Sequence, residues 1–294
     1  MVSIIVPCFN YGHFITEALK SIAGQTYSDW ECVIVNDGST DDSRSVIEAF
    51  IRDDPRFRLV NIQNSGVSVA RNTAVAHSRG TWLFPLDADN RMLPDCLAKC
   101  MAQVQRDPGL RLVYTEAELF GAENGLWRLP PFDYKTMLKY NMIDNSCLFR
   151  REDFDRVGGY RTNMVYGLED WDFNIALLHG VAKDRVFKID EPLYQYRVNE
   201  SGRRLTVAAS GRQKTMLDLI VYNNFAIYQE YFPGIFDRIH AYDFDRTMLK
   251  KKPVKWLVKT LVGLSSLKGR RGGGGVPPAG AKVDGSDGSE VRPS

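Results

Sequence analysis

The chain has 294 residues, of which 44% are hydrophobic and 25% are charged, and its formal net charge is +2. This balance is typical of a globular protein, and a chain of this length can bury a large core without disulfide bonds. The charge is uneven, because residues 246–271 contain nine Lys or Arg and no Asp or Glu, while residues 1–245 carry a net charge of −6. A mildly acidic body argues against nucleic-acid binding, and the basic segment favours a local anionic partner.

Short apolar, β-branched runs alternate with helical patterns in the first half of the chain. Strands are predicted at 2–6, 31–35, 57–61 and 81–86, with helices between them at about 12–23, 41–52 and 66–77. The strand runs are almost continuously hydrophobic, as expected when both faces of a parallel sheet are covered. This order of elements predicts an α/β fold with an open, doubly wound sheet.

The second half of the chain has a less regular pattern. A helix at about 94–105 and a strand at about 111–115 continue the sheet, and residues 118–145 are irregular and aromatic. Further apolar runs lie at 145–150, 184–189 and 192–198, with a helix at about 169–179 and helical patterns from 210 to 262. Residues 269–294 are rich in Gly, Pro and Ser, which predicts a disordered tail.

The N-terminus and the five cysteines indicate a cellular compartment. Residues 1–7 begin as a strand rather than as a signal peptide, and no apolar run approaches the roughly 20 residues that span a bilayer. An odd number of cysteines is simplest to interpret as reduced thiols in a cytosolic protein. Cys96 and Cys100 lie four residues apart on a predicted helix, where packing is favoured over a shared metal because no second pair or nearby His is present. We therefore expect a cytoplasmic protein.

Four polar clusters lie at or near the ends of predicted strands. They are Pro7-Cys8-Phe9-Asn10, the segment from Asn36 to Asp41, Ala70-Arg71-Asn72 at a helix start, and Asp87-Ala88-Asp89. Ligands bind outside the carboxyl ends of the strands in open parallel sheets. We therefore expect three loops and the start of one helix to line a single crevice.

Asp87 and Asp89 form the predicted chemical centre of this crevice. Two carboxylates at i and i+2 lie on one side of an extended backbone. Mg²⁺ takes one or two protein carboxylates and completes its coordination with water and substrate phosphates. In isolation a solvated turn is the better explanation of Asp-x-Asp. Its position after a buried strand, in order with the other clusters, favours a metal–diphosphate site.

Asp37 and Arg71 are predicted to bind a nucleotide. A carboxylate at a strand end can accept hydrogen bonds from a base or ribose, and Gly38 allows a tight backbone turn against a ligand. The alternative is that Asp37 or Asp41 caps the helix at 41–52, and we favour the cap for Asp41 and the ligand for Asp37. Arg71 supplies positive charge for a phosphate or a nucleotide carbonyl, or else it is an exposed helix arginine.

Five motifs follow one another between about residues 2 and 202. They are Ile-Ile-Val-Pro-Cys-Phe-Asn (4–10), Val-Asn-Asp-Gly-Ser-Thr-Asp (35–41), Gly-Val-Ser-Val-Ala-Arg-Asn (66–72), Leu-Asp-Ala-Asp-Asn (86–90) and Gly-Leu-Glu-Asp-Trp-Asp (167–172). Their order and spacing resemble glycosyltransferase family 2. The resemblance implies a GT-A-type fold, which is an open, mostly parallel, doubly wound sheet with a smaller acceptor-binding part and C-terminal helices. It also implies inverting transfer from a nucleotide-sugar, UDP-linked by default, with Mn²⁺ or Mg²⁺.

The resemblance also implies a role for individual residues. Pro7 and Phe9 match positions that contact the nucleoside base, and Asn10 joins them as a donor-binding residue. Asp37 matches a position that binds uracil or ribose, and Arg71 matches a nucleotide contact. Asp87 matches a position near the ribose and metal, Asp89 matches the direct metal ligand, and Asp170 matches the catalytic base. An inverting transfer needs one base to take the proton from the attacking acceptor hydroxyl, and a Lewis acid for the departing diphosphate.

Asp170 is predicted at a helix N-terminus, where the dipole favours an ionised carboxylate. The buried face of that helix is predicted to carry Trp171, Ile175 and Leu178. Glu169 is the rival base, and the alternative for it is a first-turn charge that only supports the helix.

The chain departs from the family's usual pattern at several positions. Asn36 stands where many members carry Asp, a change that spares Asp37. Asn199 stands where relatives often carry a His, which leaves a third protein ligand open, and Arg197 binds phosphate or has a structural role. No Q-x-x-R-W sequence, which marks processive relatives, is present, so we expect one sugar to be added per acceptor encounter.

We expect a catalytic domain at 1–205, with a nucleotide-sugar-binding half at 1–115 and an acceptor-binding half at 116–205, a helical extension at 206–268 and a tail at 269–294. In segment 246–268, Trp256, Leu257, Leu261 and Leu264 recur at helical spacing beside Lys255 and Lys259. This pattern is typical of an interfacial membrane helix, and the alternative is a basic helix packed on the body. We favour peripheral contact with the inner face of the membrane, because a lipid-linked acceptor would lie there.

The predicted function is therefore transfer of one sugar to a hydroxyl of a glycan or lipid-linked glycan in cell-surface polysaccharide synthesis. One rival is a sugar-1-phosphate nucleotidyltransferase, which usually opens with a basic Gly-rich loop, whereas residues 7–12 contain no Lys or Arg. The other rival is a non-catalytic relative that binds nucleotide-sugar or glycan. Intact Asp37, Asp89 and Asp170 argue against it, and Asn199 keeps it open.

Overall fold

The computed structural model describes residues 1–199 and 212–234. Its strands are β1 (Val2–Cys8), β2 (Trp30–Asp37), β3 (Phe57–Ile62), β4 (Trp82–Pro85), β5 (Arg91–Met92), β6 (Leu112–Gly121), β7 (Gly125–Trp127), β8 (Leu148–Arg150) and β9 (Val186–Val198). Its helices are α1 (Gly12–Ala23), α2 (Ser43–Ile51), α3 (Val67–Ala76), α4 (Cys96–Arg106), α5 (Tyr134–Met137), α6 (Arg151–Val157), α7 (Glu169–Leu178), α8 (Arg212–Asn223) and α9 (Phe225–Tyr231).

One sheet brings the carboxyl ends of its parallel strands to a common edge. The strand order is β3-β2-β1-β4-β8-β6-β9-β5, and β7 pairs with β6. The strands β1 to β4 run parallel to one another, as their continuous hydrophobicity predicted. The order reverses between β1 and β4, and ligands bind at such a switch point in open α/β sheets. The predicted open α/β sheet is confirmed in this half of the molecule.

The other half of the sheet is mixed rather than parallel. β8 runs antiparallel between β4 and β6, while β6 and β9 run parallel. Residues 118–145, predicted as irregular, instead include the end of β6 and its hairpin partner β7. The two apolar runs at 184–189 and 192–198 form one strand, since register shifts beside Glu116 accommodate the polar residues that separate them.

Two hydrophobic cores cover the two faces of the sheet. Ile4 and Val6 of β1 pack in a core shared with α1, α2 and α4. Ile5, between them, packs in the opposite core with α3, α6, α7 and α8. Successive side chains of a strand point to opposite faces. Both faces of β1 are therefore buried, which explains its uninterrupted run of apolar residues.

The buried carboxylate of Asp172 joins the C-terminal helices α8 and α9 to α7. It accepts hydrogen bonds from Arg161 Nη1 at 2.9 Å, Asn223 Nδ2 at 3.1 Å and Asn224 Nδ2 at 2.8 Å. Within the described part of the chain, no helix has the length and apolar character needed to cross a bilayer. The predicted basic helix at 246–268 and the tail at 269–294 lie outside the described residues.

All five cysteines are buried as free thiols, in agreement with the expectation of reduced cysteines. Cys96 and Cys100 lie on the buried face of α4 and contribute to the core beside α1. Packing therefore accounts for their spacing, as predicted.

Candidate active site

Hydrogen bonds join the loops after β1 and β2, which were predicted to line the crevice. Asn10 has a left-handed backbone (φ +57°), and its Oδ1 accepts a hydrogen bond from Thr40 N at 2.8 Å. Its own N–H donates to Ser39 Oγ at 3.0 Å. Pro7 is buried in β1, whereas Phe9 is 40% exposed. Asn10 therefore joins the two loops, and Phe9 is the member of this group whose ring is open to a ligand.

Asp37 is buried at the end of β2 and orients the loop that leads into α3. Its two carboxylate oxygens accept hydrogen bonds from Ser65 N at 2.7 Å and Gly66 N at 2.9 Å. Gly38 has φ +69°, and a Cβ there would lie 2.6 Å from Asn64 N, so the two loops can approach only because this residue is glycine. A carboxylate has further lone pairs, so these bonds leave room for the predicted nucleotide contact.

Asp41 stabilises the starts of two helices, the role favoured for it from sequence. Its carboxylate accepts hydrogen bonds from the backbone N–H of Ser43 at 3.0 Å and of Gly12 at 3.1 Å. The first turns of α2 and α1 each have an N–H satisfied by this one side chain.

Arg71 is a buried bridge rather than the exposed helix arginine that sequence left open. Its side chain is 3% exposed, and its two terminal nitrogens donate to Asp87 Oδ1 and Glu169 Oε1, both at 2.8 Å. Its guanidinium lies 5.2 Å from the ring centroid of Tyr160. Burial opposes the charge, but Asp87 and Glu169 outweigh it and raise the pKa of Arg71. Arg71 thereby joins α3, the loop after β4 and the start of α7.

Asp89 lies beside Asp87, and two neighbouring carboxylates of this kind are favourable where a cation binds. Burial and then the negative charge of Asp87 raise the pKa of Asp89 to about 6. Its Oδ2 accepts a hydrogen bond from Asn199 Nδ2 at 3.0 Å. Asn199 therefore orients the predicted metal ligand through a hydrogen bond.

Arg197 clamps the same loop from β9. Its Nε donates to the Asp89 carbonyl at 2.9 Å, its Nη2 contacts Glu17 Oε2 at 2.5 Å, and its guanidinium lies 4.1 Å from the centroid of the Phe14 ring. These contacts indicate the structural role, one of the two that sequence left open.

Asp170 lies in the first turn of α7. Burial, then the charges of Glu169 and Asp144, raise its pKa to about 7, although Asn141 Nδ2 donates a hydrogen bond to its Oδ2 at 2.9 Å. The expectation that the helix dipole would favour the ionised form is therefore outweighed by desolvation and by neighbouring carboxylates. Trp171, Ile175 and Leu178 are buried, as predicted.

The sequence reasoning did not identify Asn141 or Asp144. Asp144 precedes β8, which runs antiparallel to β4, so this segment begins at the edge where β4 ends. The charge of Asp87 helps to raise the pKa of Asp144 after burial, and Asp144 in turn acts on Asp170. The available signal was one acidic residue, Asp144, beside the apolar run at 145–150, but periodicity does not report the direction in which a strand runs.

Asp87, Asp89, Asp144, Glu169 and Asp170 act on one another electrostatically in pairs, and we refer to them together as the carboxylate cluster. Among residues 1–199 and 212–234, no group of three or more His, Cys, Asp or Glu side chains is arranged to hold a metal by itself. Mg²⁺ needs only one or two carboxylates when substrate phosphates supply the remaining oxygens. Asp89, with Asp87 beside it, fits that requirement.

A family model described as "Glycosyl transferase family 2" matches residues 3–170. A PGL/p-HBAD biosynthesis glycosyltransferase of Mycobacterium tuberculosis (strain ATCC 25177 / H37Ra) is 35% identical over 179 residues, which cover 60% of this chain and 68% of that protein. The chondroitin synthase of Escherichia coli is 34% identical over 126 residues, 43% of this chain. The chain spans 18% of that synthase and 61% of EpsJ of Bacillus subtilis, an uncharacterized glycosyltransferase.

Solved structures share the fold at low sequence identity. S. aureus TarS 1–349 in complex with UDP-GlcNAc has a TM-score of 0.62 and 17% identity, covering 89% of this chain and 79% of that one. The mannosyltransferase PcManGT of Pyrobaculum calidifontis, in complex with GDP-Man and Mn²⁺, has a TM-score of 0.56 and 21% identity, covering 90% and 84%. These similarities confirm the expected GT-A-type architecture.

Proposed function

The chain belongs to glycosyltransferase family 2, and from this premise we propose that it is a metal-dependent, inverting enzyme. It moves one sugar from a UDP-linked donor to a hydroxyl of a glycan or lipid-linked acceptor in cell-surface polysaccharide synthesis. The observation that carries the proposal is the buried bridge from Arg71 to Asp87 and Glu169, because it ties the donor-side loop to the helix that bears Asp170.

In this proposal the nucleotide lies over the loops after β1 and β2. Phe9 stacks on the base, since 40% of its surface is exposed beside the crevice. Asp37 accepts a hydrogen bond from the base or ribose while it holds the loop before α3. Pro7 and Asn10 shape the base pocket, and Arg71 acts on the nucleotide through its hold on Asp87 rather than by direct contact.

Asp89, with Asp87 beside it, would hold Mn²⁺ or Mg²⁺. When bound, the ion supplies positive charge that stabilises the diphosphate leaving group. Asn199 keeps the Asp89 carboxylate oriented through its hydrogen bond to Oδ2. Glu169 is occupied by Arg71, which favours Asp170 over Glu169 as the group that reacts.

Asp170 removes the proton of the acceptor hydroxyl as that oxygen attacks the anomeric carbon. A general base works best with a pKa near the operating pH, and that of Asp170 is raised to about 7. The Asn141 amide orients the carboxylate at 2.9 Å. The attacking oxygen and the departing diphosphate lie on opposite sides of the carbon, so the configuration inverts.

The domain organisation follows the same scheme. Residues 1–115 bind the donor, 116–205 bind the acceptor, and the extension to 268 brings the enzyme to the membrane surface. The basic, Trp- and Leu-bearing pattern of 246–268 supports this last point. Recovery of the full chain and of a chain truncated before residue 246 equally in the soluble fraction would count against membrane contact.

The test of the proposed function is a two-stage binding and turnover measurement. Binding of UDP, GDP and dTDP, each with a matching nucleotide-sugar, is measured with and without Mn²⁺ by calorimetry. We expect metal-dependent binding of one pair, followed by release of the nucleoside diphosphate when a glycan acceptor is present. Binding without turnover on any acceptor would favour the non-catalytic alternative.

A further inference from the structure

The loop that leads into the proposed base is fixed to its surroundings at several points. The side-chain amides of Asn163 and of Asn223 in α8 exchange hydrogen bonds at 2.8 and 3.2 Å. Met164 is buried in the core that α7 and α8 share, and Leu168 packs against the same core. The loop therefore has a defined course on its way to Asp170.

Between these anchors the loop presents an aromatic ring to solvent. Tyr166 lies four residues before Asp170 and is 36% exposed. The guanidinium of Arg212 lies 4.6 Å from the centroid of the Tyr166 ring, which is a cation–π contact. This contact holds the ring in place while more than a third of the residue stays accessible. A fixed, exposed ring is thus available to a ligand beside the base.

A second exposed tyrosine lies on the other segment that contacts the base. Asn141 Nδ2 donates a hydrogen bond to Asp170 Oδ2 at 2.9 Å. Tyr140 directly precedes Asn141, so their Cα atoms are about 3.8 Å apart, and Tyr140 is 60% exposed. Asp170 itself is only partly covered. The two segments that meet at the proposed base therefore each carry an exposed tyrosine.

The position of these rings indicates which substrate they would contact. In the proposed function the nucleotide and the metal lie over the loops after β1, β2 and β4, whereas Tyr140 and Tyr166 lie in the half at 116–205. A hydroxyl that gives its proton to Asp170 must come within hydrogen-bond reach of it. The molecule that carries this hydroxyl therefore covers the surface next to Asp170.

The chemistry of the two rings indicates the class of that molecule. A tyrosine ring combines an apolar face with a polar tip. A sugar ring matches it, since its C–H groups form an apolar face and its rim carries hydroxyl groups. An alkyl chain would leave the tyrosine hydroxyl groups without a partner.

We propose that Tyr140 and Tyr166 form an aromatic acceptor subsite, on which the sugar ring that bears the attacking hydroxyl packs. The acceptor is then recognised through its terminal sugar rather than through a lipid. This inference rests on the proposed function, because it requires Asp170 to act as the base.

The experiment compares use of the acceptor with binding of the donor. Tyr140→Ala and Tyr166→Ala are assayed beside wild type with Mn²⁺ and the nucleotide-sugar that wild type binds, and the acceptors are methyl glycosides and disaccharides of glucose, galactose and N-acetylglucosamine. We expect the KM for the acceptor to rise about tenfold in each variant, as for one lost aromatic contact, with kcat near that of wild type. The Kd for the nucleoside diphosphate, and its release into water without acceptor, should stay within about twofold.

Two kinds of control keep the ring separate from other effects. Tyr140→Phe and Tyr166→Phe keep the ring, so their acceptor KM should stay within about threefold of wild type. Phe187→Ala removes a ring that is 39% exposed in β9 at the edge where β4 begins, opposite the crevice, and should change nothing. Thermal unfolding of each variant checks that it is folded.

The two ways of failing are distinct. If wild type binds none of the diphosphates with Mn²⁺, the proposed function is wrong and the subsite falls with it. If wild type is active and both Ala variants keep its acceptor KM, only the subsite is wrong. The subsite is also wrong if the Phe variants lose as much as the Ala variants, if donor and acceptor binding weaken equally, or if wild type with donor neither binds nor uses any of these glycosides.

Discussion

Two regions share one edge of the sheet: the loops after β1 and β2, and the carboxylate cluster. The surroundings of Asp41, in the loops, shift its carboxyl pKa in the opposite direction to that found in the cluster. In the loops, Asp37 and Asp41 accept hydrogen bonds from backbone N–H groups. Burial acts to raise the pKa of Asp41, but hydrogen bonds from Ser43 and Gly12 outweigh it and lower the pKa. These carboxylates stabilise the fold.

The carboxylate cluster has the reverse balance. Burial and neighbouring negative charges raise the pKa of Asp89 to about 6 and that of Asp170 to about 7. Arg71 is the buried cation that holds Asp87 and Glu169 in place. Strongly perturbed carboxyl groups cluster at functional sites. One region of the edge therefore gains stability from its carboxylates, whereas the other contains two carboxyl groups, Asp89 and Asp170, that form no ion pair with Arg71.

The largest effect should come from Asp170→Asn. The variant cannot take a proton, so transfer should fall by about 100- to 10,000-fold, while the Kd for the nucleotide-sugar stays near that of wild type. Product formation and calorimetry measure the two quantities. Asp53→Asn, exposed in the turn after α2, is the control and should alter neither. Substantial turnover by Asp170→Asn would instead favour Glu169 as the base.

Arg71→Met should have the next largest effect, on stability. Removing the guanidinium leaves Asp87 and Glu169 without their buried partner, and the free energy of unfolding should fall by about 3–5 kcal/mol. Urea denaturation measures this change.

The control for that prediction is Arg44→Met, which breaks an exposed pair with Glu48 on α2. Its cost should be no more than about 0.5 kcal/mol, as for other exposed helix pairs. Equal costs for the two variants would mean that the bridge contributes no more than a surface ion pair.

Asp89→Ala should weaken Mn²⁺-dependent donor binding more than any change to its neighbours. We expect a loss in metal affinity beyond the about 10- to 100-fold that removal of an outer-shell partner causes. Asn199→Ala removes only such a partner, the donor to Asp89 Oδ2, and should fall within that range. Titration with Mn²⁺ in the presence of the nucleoside diphosphate checks the order, and the reverse order would show that Asp89 does not bind the metal.

The pH dependence should separate the cluster from the loops. Transfer requires ionised Asp170, so kcat/KM should rise about tenfold per pH unit below a midpoint near 7 and then level off. The free energy of unfolding changes in the opposite direction. Because the pKa of Asp170 is raised in the folded protein, the folded state keeps this proton between about pH 4 and 7, whereas the unfolded chain has lost it. The contribution of Asp170 to the free energy of unfolding therefore falls as pH rises through this window.

Asp170→Asn removes this titrating group. The free energy of unfolding of the variant, minus that of wild type, should therefore be larger at pH 8 than at pH 4. Denaturation at both pH values measures the difference. A constant difference between the two proteins would mean that Asp170 titrates normally in the folded state.

Asp37→Asn should have the smallest effect of these changes. It keeps one acceptor oxygen and loses the hydrogen bond to Ser65 N or Gly66 N, so the free energy of unfolding should fall by about 1 kcal/mol. Asp42→Asn is the control, since this exposed side chain makes no capping hydrogen bond. A larger loss of UDP binding than of stability would support the nucleotide contact predicted for Asp37.

Much of the fold was readable from local pattern. Continuous apolar runs predicted β1 to β4, and both faces of β1, β2 and β4 are covered by helices, whereas β3 at the edge of the sheet is partly exposed. The second half was harder, because β8 has only three residues and β9 passes through a register shift beside Glu116. Such features depend on strand pairing, which periodicity along one strand does not report.

The candidate site divides in the same way. Polar residues at strand ends identified Asp37, Asp87 and Asp89, since the carboxyl ends of parallel strands share an edge. Asp144 was not predicted, because it precedes β8, which runs antiparallel to β4, rather than following a parallel strand. Asp170 was proposed from its motif, but its raised pKa depends on burial and then on the charges of Glu169 and Asp144.

By itself, the sequence determined the parallel half of the sheet and the polar loops at its edge, because residue type and spacing act over a few neighbouring positions. Only the tertiary structure decided that Arg71 is buried between Asp87 and Glu169. Glu169 lies 98 positions after Arg71 in the chain. The environment of a charge is determined by everything packed around it, and packing brings together residues that no local pattern connects.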